Sequence, residues 1–225
     1  MTVSDFTLSP SPLSAYINQQ DITKNLSVRE ITMQLLDELV SALKPGMTEL
    51  EAVDLAKEIF SGHGVSAVWH KSYIYFGINT LLTYRHKYVD TQILREEDIV
   101  YFDIAPLIDN IEGDIGRTIT FGKNPIFEDL KQASESIFQE AHGFWKANNP
   151  TGIALYEHVY ALTQKAGYEF ILKGPGHLVG AFPHKRWPGG LDTYPYPVEP
   201  NLWILEVHIR HPEKPYGAFF EDILG

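Results

Sequence analysis

Between Asp98 and Gly122 two short runs rich in β-branched and aromatic residues, Ile99 to Ile104 and Ile115 to Phe121, flank a turn at Asp109-Asn110. That pattern reads as a β-hairpin. Each arm carries an acid where a core residue belongs: Asp103 between Phe102 and Ile104, and Asp114 just before Ile115. A buried carboxylate without a partner costs several kcal/mol, so each must be paired, protonated or bound to a cation. For a lone aspartate the plain reading is neutralisation by Arg117. Two aspartates on facing strands of one hairpin can meet at one point, and a divalent metal site becomes the better reading.

The C-terminal half repeats the anomaly. Glu206 interrupts the apolar run Leu202 to Val207, and Glu221 follows Ala218-Phe219-Phe220. His177 lies between Gly176 and Gly180, where glycines let backbone or ligand come close. Four inward carboxylates and an imidazole balance two divalent cations, which can share and acidify one water. The chain has no cysteine, so oxygen and imidazole must do the ligation. Such a set suits manganese, iron, cobalt or zinc over copper, with manganese the first choice. A net charge of −11 without a basic run argues against nucleic acid or an anionic membrane as partner. No stretch approaches membrane-spanning length and the first residues lack a signal pattern, so a cytoplasmic location is expected.

The remaining pattern is mixed α+β. Residues 1–26 read as an N-terminal arm and 27–225 as a single catalytic domain. A capping signature at Ser27 to Glu30 opens a helix through Leu43; a second at Thr48 to Glu51 opens another that stops at Gly62. Strands are expected at Val65 to Trp69, Ser72 to Gly77 and Thr80 to Tyr84. Helices follow at Phe127 to Trp145 and Ala154 to Ala166, then strands at Tyr168 to Leu172, Leu202 to Arg210 and Gly217 to Ile223. Helix, Pro/Gly turn, helix, glycine, strand occurs twice, from Lys44-Pro45-Gly46 and from Asn149-Pro150-Thr151-Gly152, which suggests two related α/β halves with a site where their sheets meet.

The order Asp103, Asp114, His177, Glu206, Glu221 resembles the ligand set of the methionine aminopeptidase, aminopeptidase P, prolidase and creatinase superfamily, the pita-bread fold. The Gly-Asp-Ile-Gly-Arg-Thr context at 113 to 118, the turn Lys44 to Glu49, and the Gly-His-x-x-Gly-x-x-x-His run at 176 to 184 match as well. The resemblance implies two pseudo-symmetric halves with a curved antiparallel sheet. It implies that Asp103 chelates one metal, that Asp114 and Glu221 bridge, and that His177 and Glu206 complete the other, a bridging hydroxide being the nucleophile. It also implies that His86 and His184 contact the substrate and that Glu206 shuttles a proton to the leaving amine. The function so implied is a dinuclear aminopeptidase or Xaa-Pro dipeptidase-like enzyme cleaving near a peptide N-terminus. The proline-directed members usually carry a histidine and an arginine where this chain has Lys173 and Phe219. Those changes keep a second reading open, a metal-dependent enzyme of the same fold acting on a small non-peptide amide or amidine. The short stretch from Glu206 to Glu221 leaves the pocket open or closed by a neighbouring subunit, so a homodimer is among the expectations.

Trp69 and His70 read equally as lining a substrate pocket or as core aromatics of the first sheet. His208 and His211 read as surface or turn positions, and His63, His142 and His158 as solvated.

Overall fold

A computed structural model describes residues 11–17, 22–86, 91–171 and 176–225 of the protein. Part of the expected N-terminal arm, the position of Lys173 and the end of the strand expected to reach Leu172 lie outside the described residues.

Six strands form one antiparallel sheet. They are β1 (Tyr73–Phe76), β2 (Asp98–Ile104), β5 (Ile115–Phe121), β6 (Glu169–Phe170), β7 (Ile204–Arg210) and β8 (Gly217–Ile223), in the spatial order β1-β2-β5-β8-β7-β6. Between β2 and β5 the chain makes a two-stranded ribbon, β3 (Leu107–Ile108) and β4 (Ile111–Glu112). Its turn residues Asp109 and Asn110 take φ of 51° and 61°, the left-handed pair that a tight hairpin requires and that Asp and Asn tolerate.

Helices α1 (Ser14–Ile17), α2 (Thr23–Ala42), α3 (Glu49–Gly62), α4 (Pro125–Asn148) and α5 (Gly152–Lys165) complete the described elements. Local chemistry fixes most ends. Thr48 and Glu51 form a reciprocal capping box at α3. Asn124 caps α4, Pro125 takes its first turn, and Thr151 caps α5 by accepting from the backbone of Ala154. Thr48 bridges to Ile93 and Thr151 to Pro197, so the two caps are anchored alike in the two halves.

Two apolar clusters divide one face of the sheet. Ile74, Phe76, Val100, Phe102, Ile104 and Ile115 pack on Leu35, Leu36, Leu39 and Phe60 of α2 and α3. Leu205, Val207, Ile209, Ala218 and Phe220 pack on Leu130, Ile137, Phe138, Leu155 and Val159 of α4 and α5. With a period of two, the alternate residues of the same strands face the other way. Along that second face Tyr73, Tyr75, Tyr101 and Phe219 make a small aromatic cluster beside the acids.

Three expected elements differ. The first long helix starts at Thr23, before Ser27, and Ile22 at its N-cap makes no side-chain cap bond. Buried Asn25 instead donates from Nδ2 to the carbonyl of Asn201 at 2.8 Å, a tertiary bond that carries the helix one turn further back. The runs 65–69 and 80–84 are not strands: the first makes the isolated bridge Val68 to Pro106, and the second follows a 3-10 turn, Gly77–Leu81. Ahead of α2, Leu13 is fully buried in the second cluster and Ser11 Oγ lies 2.6 Å from the Tyr194 hydroxyl.

Candidate metal centre

One transverse row of the sheet organises the site. Its register pairs are Tyr73 with Asp103, Asp103 with Gly116, Gly116 with Glu221, and Glu221 with Glu206. Cross-strand partners share a face, so Asp103, Glu221 and Glu206 point the same way, and Asp114, two residues before Gly116, joins them. Gly116 is required at the middle of the row: a Cβ there would stand 2.3 Å from Cε1 of Phe219 and 2.7 Å from Cβ of Glu221. Like charges directly opposite, as in Glu206 and Glu221, destabilise a sheet unless positive charge lies between them.

Two imidazoles reach this row from loops. The bridge Leu178 to Trp203 and the bond from the Ile204 amide to the His177 carbonyl, 2.8 Å, lay His177 beside the start of β7. Its Nε2 stands 3.1 Å from Asp114 Oδ2 and 3.8 Å from both Glu206 Oε1 and Glu221 Oε1. The amide of Trp69 donates to the Ala105 carbonyl at 3.1 Å, which sets His70 just past the end of β2. His70 Nε2 lies 3.3 Å from Asp103 Oδ1 and 3.6 Å from Asp114 Oδ1. Asp103, Asp114, His177, Glu206 and Glu221 are therefore gathered at one point, with His70 as a sixth neighbour.

Charge at this point is unbalanced. Asp103 Oδ1, both carboxylate oxygens of Asp114 and Glu221 Oε2 are buried without a hydrogen bond. Among the described residues no lysine or arginine makes an ion pair with any of the four acids. Arg117, the partner that the plain reading of a lone aspartate would give, points to the opposite face of β5 and pairs with Asp222. Burial pushes the Asp103 and Glu206 carboxyls each up to about 7. Burial, together with Asp114 and Asp103, drives Glu221 well up too. Burial pushes Asp114 up as well, but the proximity of His177 and His70 outweighs it, so Asp114 alone of the four is held low. Burial disfavours the charged His70 ring, yet Asp103 and Asp114 lift its pKa to about 9.

Orphaned oxygens and a donor set of carboxylate and imidazole, without thiolate, fit divalent cations. Asp103, Asp114, His177, Glu206 and Glu221 would hold them. The row opens into a cleft of about 480 Å³ whose walls include Trp69, Tyr73, Tyr84, His184 and Trp187.

The other expected site residues divide. The Trp69 indole donates to the Gly113 carbonyl at 3.0 Å and meets the rings of His70, His177 and His184 edge-on, at 4.3, 5.3 and 5.4 Å. His184 lies 5.6 Å, ring to ring, from His177. Its Nδ1 donates to Glu112 Oε2 at 2.7 Å, while its amide and that of Gly180 also donate to that carboxylate at 3.2 Å. His86 stands apart, exposed in a turn where its Nδ1 accepts from the Thr83 amide at 2.9 Å. It is not among the residues lining the cleft, although Tyr84 and Arg85 are.

Sequence reasoning missed Glu112, whose signal was weak: an acid in a short polar hairpin is ordinary until its burial is known. It also misplaced His208, which is no surface residue. On β7 its ring is buried between Tyr101 and Phe219, and Nε2 donates to the Thr80 carbonyl at 2.8 Å. Burial pulls its pKa down to about 4, so it packs as a neutral ring.

Comparison with known proteins extends this geometry. The family model of metallopeptidase family M24 matches residues 26–224. Methionine aminopeptidase A of Synechocystis is 28% identical over 132 residues, 55% of this chain and 51% of that protein. Among solved structures, the X-Pro aminopeptidase of Thermotoga maritima superposes with a TM-score of 0.75 at 21% identity, over 91% of this chain and 60% of that one. The prolidase of Pyrococcus furiosus gives 0.72 at 20% identity, over 89% and 60%. These likenesses establish the pita-bread fold with its mixed helices and antiparallel sheet. The chain spans between half and three fifths of the length of these relatives. Among the described residues no helix is long and apolar enough to cross a membrane.

Proposed function

The chain belongs to metallopeptidase family M24, and from that premise we propose that residues 27–225 form one catalytic domain, a dinuclear metal-dependent peptidase hydrolysing a bond near a peptide N-terminus. The observation that carries this reading is the row of acids across β2, β8 and β7, with Asp114 beside it, whose buried oxygens have no protein hydrogen bond. Asp103 would hold one cation, Asp114 and Glu221 would bridge, and His177 and Glu206 would hold the second. When bound, the pair supplies Lewis acidity that polarises the scissile carbonyl and makes water a better nucleophile.

The chain's own groups do the rest. Glu206 lines the cleft and is the group that takes a proton and passes it to the leaving amine. Glu112 fixes the His184 ring through Nδ1, leaving Nε2 to face the substrate as the carbonyl becomes tetrahedral. Trp69 walls the same side and shields the reacting groups from water.

The test is a peptide panel offered to metal-free protein reloaded with manganese, iron, cobalt or zinc in turn. It should include peptides with N-terminal methionine or proline in the second position, and small amides and amidines. Release of N-terminal residues or dipeptides, dependent on added metal, is the expected result. Turnover of the small amides alone would overturn peptide specificity, and no turnover with any metal would overturn the assignment.

A further inference from the structure

His70 is not one of the five ligand positions, yet its Nε2 faces two of the orphaned oxygens, Asp103 Oδ1 at 3.3 Å and Asp114 Oδ1 at 3.6 Å. We propose that His70 is a sixth protein ligand, giving the cation held by Asp103 and Asp114 an imidazole of its own. The inference rests on the dinuclear reading and deepens it.

Three observations carry it. The first is separation. Donor atoms about 2.0–2.2 Å from one cation, at tetrahedral or octahedral angles, stand roughly 2.8–3.6 Å from one another. The contacts of His70 fall at that spacing, as does His177 Nε2 with Asp114 Oδ2 at 3.1 Å.

The second is the tautomer. Nδ1 of His70 donates to the carbonyl of the next residue, Lys71, at 2.8 Å, so Nε2 is the nitrogen that faces the two aspartates and would bind a cation there. Nδ1 of His177 makes the same bond to the carbonyl of Leu178, also at 2.8 Å. A ligating histidine is commonly held through its other ring nitrogen in this way. Each imidazole thus has the same backbone anchor and turns the same nitrogen, Nε2, toward the acids.

The third is how firmly the ring is held. Trp69 packs edge-on against it at 4.3 Å and Tyr73 lies against it at 5.5 Å, and Tyr73 is the register partner of Asp103. The side chain is only 19% exposed. A ring so fixed cannot swing away to follow a substrate.

The arrangement gives each cation one histidine and makes the two more alike in affinity than a single histidine would. The test uses the full chain, stripped with a chelator and titrated with manganese, reading stoichiometry and affinity by calorimetry and histidine nitrogen couplings by pulsed EPR. Wild-type protein should bind two equivalents and show two classes of coupled nitrogen. His70→Ala, and His70→Phe as the variant that keeps packing on Trp69, should weaken one equivalent at least about 10-fold, leave the other unchanged and lose one nitrogen class. Two equivalents at unchanged affinity in both variants, or a single nitrogen class in doubly loaded wild-type protein, would overturn the role of His70. Fewer than two equivalents in wild-type protein would instead overturn the dinuclear reading.

Discussion

Glu221 and Asp222 are neighbours on β8 and face opposite sides of one sheet, and the two sides treat a buried acid differently. On the helix-covered side Asp222 accepts from Arg29 Nε at 2.7 Å and Nη2 at 2.6 Å, and from Arg117. Arg117 also donates to the carbonyls of Gly116 and Glu221 and lies over the Phe220 ring at 4.0 Å. On the other side Glu221 is crowded by Asp114, Asp103 and Glu206, and among the described residues no guanidinium makes an ion pair with it. Asp222 is thus matched by two guanidinium groups. Buried Glu49 is satisfied instead by N–H donors from Phe76, Asn79 and Gln92, whereas the acids of the cleft side keep oxygens with no hydrogen bond.

The largest expected effect tests the matched side. Asp222→Ala leaves two guanidinium groups facing each other without their acid and should cost about 3–5 kcal/mol in urea unfolding. A loss under about 1 kcal/mol would erase the contrast between the faces. Glu221→Gln should behave in the opposite sense. It should weaken metal binding beyond the roughly 100-fold that outer-shell losses reach, measured by titration of stripped protein. The metal-free variant should melt no lower than wild type, because it sheds an acid that burial disfavours. A lower melting point for the stripped variant would mean that the acid cluster is structural.

His184→Ala touches the unmatched side without removing an acid. It should reduce turnover by about 10–100-fold with metal content unchanged, and metal loss like that of Asp114→Asn would place it among the ligands. Arg117→Lys is the mildest change, since it keeps the charge but not the fork that reaches two carbonyls and Asp222. It should cost about 1–2 kcal/mol in thermal unfolding and leave metal affinity alone.

The acids of the unmatched side were legible in the sequence because each breaks an apolar strand, and a charge in such a run is conspicuous without any structure. Asp103, Asp114, Glu206 and Glu221 carry that signal, and β8 falls where its alternation places it, Gly217–Ile223. His70 carries none. Its approach to Asp103 depends on the 67–70 segment lying against Ala105 and Pro106, a tertiary contact with no periodicity to betray it. Ser27 shows the same limit: its capping signature is locally sound, but Asn25 finds a carbonyl elsewhere in the fold, and that bond overrides the local cap. His208 was misread although the expected strand already ran through Arg210, because what buries its ring is the tertiary cover of Tyr101, Phe219 and the Thr80 carbonyl.

One consequence follows from the seam. The ladders of β2 with β5 and of β7 with β8 run the length of their strands, whereas β5 meets β8 through Gly116 and Glu221. Each hairpin closes a modest loop, which favours early formation, while the seam joins segments far apart in sequence, which favours late closure. Each hairpin crowds two acids, Asp103 with Asp114 and Glu206 with Glu221, and closing the seam brings the two pairs together. Divalent cations added to the refolding buffer should quicken closure of the seam most, because only there do all four acids come together.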